Sequence, residues 1–139
     1  LQECRLTSTV TPGDLSEIEQ AITKEGTMAP QYGKQFQTLA RKLRREFPLS
    51  CPLRIVCKRL DKQKLCGSCI AYLDNDGSII RFVIEVDTHL SALSAIDTLL
   101  HEYAHALDQE LNGVAVEAHR ASWGVCYAQI WRFYVTHFT

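Results

Sequence analysis

Asp97-Thr98-Leu99-Leu100-His101-Glu102-Tyr103-Ala104-His105-Ala106-Leu107-Asp108 is the stretch from which the rest of the chain is read. Wound as a helix at about 100° per residue, it aligns Leu93, Ile96, Leu100, Ala104, Leu107 and Leu111 within about 40° of one line, which predicts a core-facing stripe. His101 and His105 fall about 100° to 140° round from Leu100 and one turn apart. They can therefore share one metal ion while the stripe stays packed. Glu102 projects beside them, within reach of a water on that ion but badly placed as a third ligand. The H-E-x-x-H spacing is that of zinc-dependent hydrolases.

Catalytic zinc takes three protein ligands and keeps one position for water. The chain has five histidines: His89, His101, His105, His119 and His137. An extended motif with its third histidine six residues after the second is ruled out, because that position is Leu111. His119, placed early in the following helix after a reversal at Asn112-Gly113, is the expected third ligand. Glu117 is the alternative, and Glu110 a more distant one. His89 and His137 are read as bystanders. One zinc ion held by His101, His105 and His119 is expected, with Glu102 as general base.

Around this helix the apolar period changes twice. Tyr32 to Phe47 carries Phe36, Leu39, Ala40, Leu43 and Phe47 on one side and stops at Pro48, which predicts a basic amphipathic helix. Residues 53–60, 65–73 and 78–87 read as strands, the second interrupted or bulged at Gly67, and Asp74-Asn75-Asp76-Gly77 reads as a hairpin turn. Three such strands joined by short turns predict an antiparallel meander. Ser91 or Ser94 would cap the motif helix, Gly113 would end it, and a last helix is expected from Glu117 to about Thr136. A short helix over 15–24 is also predicted. The expected architecture is one α+β domain over 1–139, with residues 1–30 a less ordered extension.

The formal net charge of −1 conceals an uneven distribution. Residues 34–64 hold ten Lys and Arg against Glu46 and Asp61, a net of +8, while 1–33 carry −3 and 65–139 carry −6. Such a segment is either a footprint for phosphates, and so a nucleic-acid contact, or a solvated helix face. No apolar run approaches the roughly 20 residues of a membrane span. Six cysteines permit three disulfides, but a domain with this apolar content does not need them, and reduced thiols are expected. Cys66-Gly67-Ser68-Cys69 lacks a second C-x-x-C partner and reads as strand cysteines. A cytoplasmic monomer is expected, with secretion left open because the chain begins at Leu1.

Leu100-His101-Glu102-Tyr103-Ala104-His105-Ala106-Leu107, followed by His119-Arg120-Ala121-Ser122-Trp123-Gly124, resembles the SprT-like zinc metalloprotease domain in its small bacterial and phage form. The resemblance spans roughly residues 34–135. Arg120 departs from it, since the family places a small residue there. It implies a minimal zincin-like fold with zinc on His101, His105 and His119. It also implies hydrolysis of peptide bonds, in some members on proteins bound to DNA. The expected function is a zinc endopeptidase acting on a protein or peptide substrate, and the alternative is a zinc-stabilised DNA- or protein-binding module without hydrolysis. An extended substrate is expected to pair with an edge strand near Arg81–Asp87. Asp97 and Asp108 are read as exposed acids, with orientation of the metal histidines as the alternative, and Trp123 as packing between the last two helices.

Overall fold

A computed structural model describes residues 7–9, 32–114 and 117–138. The helix predicted over 15–24 and most of the predicted N-terminal extension lie outside these residues. The elements run β1 (Thr7–Thr9), α1 (Gly33–Glu46), β2 (Leu53–Lys58), a 3-10 turn (Asp61–Gln63), β3 (Gly67–Leu73), β4 (Ile79–Asp87), α2 (Ala92–Asn112) and α3 (Ala121–Phe138). The chain is α+β, as expected. None of the described helices is long and apolar enough to cross a membrane.

The sheet is not the predicted meander. Its strand order is β1-β3-β4-β2. β3 and β4 pair antiparallel through the 74–77 turn, whereas β2 lies parallel to β4, with Leu53 opposite Phe82 and Lys58 opposite Asp87. Composition explains why β4 takes the centre. Phe82 to Asp87 are all buried, and the N–H and C=O groups of a backbone held away from water need a hydrogen-bonding neighbour on each edge. Short turns at 61–64 and 74–77 made two successive hairpins look sufficient, but the first connection passes the end of β4 instead. There Asp87 accepts a hydrogen bond from Leu60 N on Oδ1 at 2.8 Å, and its own N–H donates to Cys66 O at 2.8 Å. With both edges of β4 paired, substrate pairing along Arg81–Asp87 is excluded. Nor is β3 bulged at Gly67, which pairs with Val86; its irregularity falls at Tyr72/Leu73.

The helices cover one sheet face. Phe36, Leu39 and Leu43 of α1, Ile55, Phe82, Ile84 and Val86 of the sheet, Leu99, Leu100 and Tyr103 of α2, and Ile130 of α3 form one core. Val56, Ile70, Tyr72 and Val83 cluster separately, as the two-residue period requires. α2 starts at Ser91, whose hydroxyl accepts from Ser94 N, and ends at Gly113 with φ 79°. Its stripe differs from the one expected. Leu93 is 74% and Leu111 64% exposed, while Ala95, Leu99, Tyr103 and Ala106 are buried. Ile96, Leu100, Ala104 and Leu107 of the expected stripe are buried as well, so the buried face is widened toward positions 95, 99, 103 and 106, and only the two ends of the stripe overhang the core. Tyr103, among the largest buried side chains, donates to the carbonyls of Leu43 and Phe47 at 3.2 and 2.6 Å. It satisfies carbonyls at the end of α1 and fastens that helix to α2.

At Gly67 α2 approaches the sheet closely. A Cβ there would lie 2.4 Å from Thr98 Cγ2, 2.8 Å from Glu85 O and 3.3 Å from Glu102 Cγ. Its role is close approach rather than a turn.

Candidate metal centre

Helical phase puts His101 and His105 side by side on α2, with their Nε2 atoms 3.3 Å apart. His119 completes the group, its Nε2 3.1 Å from that of His101. One ligand atom from each of the three lies within 4.8 Å of the others. Tetrahedral zinc with bonds of about 2.0–2.1 Å to nitrogen separates its ligand atoms by about 3.3–3.4 Å. The two shortest separations are already close to that edge. His119 does not sit in the next helix, as expected, but in the turn before α3. Glu117 is exposed and outside the converging group, and His89 and His137 also lie outside it.

Electrostatics favours a ligand role. Burial and the neighbouring His119 lower the His101 pKa to about 4, against an opposing pull from Asp97. Burial, His101 and His119 lower that of His105 to about 3, against Asp108. Both imidazoles are therefore neutral near pH 7, with lone pairs free for a cation.

The same shifts predict acid lability of the metal-free chain. Below about pH 6.5 an unfolded histidine takes up a proton that folded His101 and His105 refuse. Stability should therefore fall from about pH 6.5 toward the folded values near 4 and 3. Urea midpoints of metal-free protein between pH 7.5 and 5 measure this, and a flat profile would contradict it.

Trp123 walls the group. Its ring centroid is 4.9 Å from His101, 5.2 Å from His105 and 4.6 Å from His119. It thus packs α3 onto α2 as expected, but does so against the imidazoles themselves. Tyr127 stacks on Trp123 at 5.1 Å and donates to Asp97 Oδ1 at 3.2 Å. Burial and Asp97 push the Tyr127 phenol up to about 12.

Two residues depart from expectation. Asp108 is 3% exposed, not a surface acid, and is ion-paired with Arg120 at 2.8 Å. Burial alone would raise its pKa, but hydrogen bonds from Ser122, Arg120 and Asn112 outweigh it and the net shift is downward. Glu102 is fully buried. It leans toward the start of β3 and raises the pKa of buried Cys69, whose shift comes first from burial. The predicted ligands converge, while the predicted base packs beside β3. Cys51, Cys57, Cys66, Cys69 and Cys126 are free thiols. None of them joins a metal-holding group among the described residues.

Comparison with family models, curated proteins and solved structures finds no match in any of the three. The geometry stands alone.

Proposed function

We propose that the chain is a zinc-dependent endopeptidase of the SprT-like, zincin-like type, with one zinc ion on His101, His105 and His119. The observation that carries this reading is the convergence of three imidazoles, with His101 Nε2 3.3 and 3.1 Å from those of His105 and His119 and one ligand atom from each within 4.8 Å of the others. His119 is exposed and His101 only half-buried, so one side of the centre is open to a substrate. Zinc bound there would supply Lewis-acid polarisation of a carbonyl and an acidified water. The Glu102 carboxylate takes the proton from the attacking water and returns it to the leaving nitrogen.

Nucleic acid is the proposed additional partner, on a narrower surface than the whole basic segment. Lys34, Arg41 and Arg45 lie exposed on α1 opposite its buried stripe, with Arg44 exposed at its flank. Lys58, by contrast, is paired with buried Glu85 at 3.3 Å. Rising salt should weaken any such binding.

One observation favours the alternative of a zinc-stabilised binding module: the complete burial of Glu102. Metal analysis and hydrolysis of casein, with and without DNA, test the proposal. Wild-type protein should carry one zinc per chain and cleave. His119→Ala should lose zinc and activity together. Zinc content unchanged in that variant would remove His119 from the ligand set, and zinc-loaded protein without hydrolysis would support the binding module.

A further inference from the structure

Nothing in regular secondary structure fixes His119, which stands in the turn between α2 and α3. The next residue does. Arg120 Nε donates to Asp108 Oδ2 at 2.8 Å, and its Nη2 donates to the carbonyl of Gly113, the residue that ends α2. Asp108 lies three residues past His105 on the same helix. Its other oxygen accepts from Asn112 Nδ2 at 3.0 Å, and the Ser122 side chain also hydrogen-bonds to it. One guanidinium therefore ties the far end of the 113–120 connection both to its own beginning and to the helix that carries His101 and His105.

The charge at this position needs explaining. A lone guanidinium beside a centre meant for a divalent cation would repel it. Asp108 offsets that charge locally and is held as a carboxylate. Buried ion pairs are weak evidence for stability, because desolvation cancels much of their attraction. Placement is the better account of why this pair exists. A histidine on a loose connection would have to be ordered when the metal arrives, and that cost weakens binding.

We propose that Asp108 and Arg120 are a positioning pair that sets metal affinity by holding the His119 imidazole against His101 and His105 before the metal binds. This rests on the metal reading above, and it concerns residues that bind no metal themselves.

The test is zinc affinity of the full chain, measured by competition with a chromophoric chelator, beside the thermal midpoint of each metal-free variant. Arg120→Ala and Asp108→Asn should each weaken zinc binding about 10–100-fold, the range for residues that orient metal ligands. Arg120→Lys keeps the charge but lacks the fork that reaches both acceptors, so it should resemble the alanine variant. The double variant should be little worse than either single one, because the two act as a unit. Asp108→Asn preserves volume and keeps the test readable should Arg120→Ala fold poorly. Wild-type affinity in Arg120→Ala or Asp108→Asn, or full recovery in Arg120→Lys, would overturn the pair while leaving the metal centre intact. Affinity losses that merely track a lower midpoint of the metal-free variants would overturn it too. Wild-type protein that takes up no zinc would instead overturn the metal reading itself.

Discussion

Glu102→Gln is expected to leave zinc bound and lower peptide hydrolysis by about 10²–10⁴-fold, the usual contribution of a positioned general base. The amide has nearly the volume of the carboxylate, which matters because Glu102 is fully buried and Gly67 leaves it little room. It cannot take up the proton of the attacking water. The metal should be indifferent to the change, since the three converging ligand atoms belong to His101, His105 and His119. Zinc content and turnover are measured on the same preparation. Turnover that survives would sink the base assignment. Absent turnover in wild type and variant alike, both with zinc, would favour the binding module.

Gly67→Ala should lower stability markedly for a single added methyl group. The added carbon would meet Thr98 Cγ2 at 2.4 Å and the Glu85 carbonyl at 2.8 Å. The threonine methyl belongs to a buried side chain on α2, and the carbonyl to a strand paired on both sides. Neither gives way cheaply, so about 1–3 kcal/mol is expected, seen as a thermal midpoint several degrees lower. Thr98→Ser removes the nearer obstacle, and Gly67→Ala/Thr98→Ser should recover part of the loss. An unchanged midpoint in Gly67→Ala would mean that α2 does not approach the sheet this closely. Because Glu102 borders the same spot, hydrolysis should fall by more than the unfolded fraction explains.

What could be read from sequence was what depends on neighbours along the chain. Pro48 and the Phe36-Leu39-Leu43 spacing delimit α1 to within a residue or two. Ser91 and Gly113 mark α2, and Asp74 to Gly77 mark a turn whose Asp74 carboxylate accepts from Asp76 N and Ser78 N, both at 2.9 Å. The histidine pair follows from helical phase alone. Features set by distant contacts were not legible. Strand order depended on β4 being buried from both sides, and a strand's own sequence does not say which neighbours take its edges. A helical wheel shows which residues share a line but not where the core stops, so Leu93 and Leu111 look no different from Leu100. Asp108 looked like a surface acid because its partner, Arg120, is twelve residues away across an irregular turn. Arg120 had stood out only as a departure from the resemblance.

The parallel pairing of β2 with β4 also orders events in time. An antiparallel neighbour can form as soon as a short turn closes, and β3 with β4 does so across five residues. β2 has no such shortcut. Its partner edge does not exist until Asp87 has been added to the chain, some thirty residues after β2 itself. A growing polypeptide therefore carries α1 and β2 without a sheet to join, and the 67–87 hairpin is the template on which they settle. Contacts closed over longer separations form more slowly. The +8 stretch that precedes this hairpin carries like charges that oppose pairing of the waiting strand with another copy of itself.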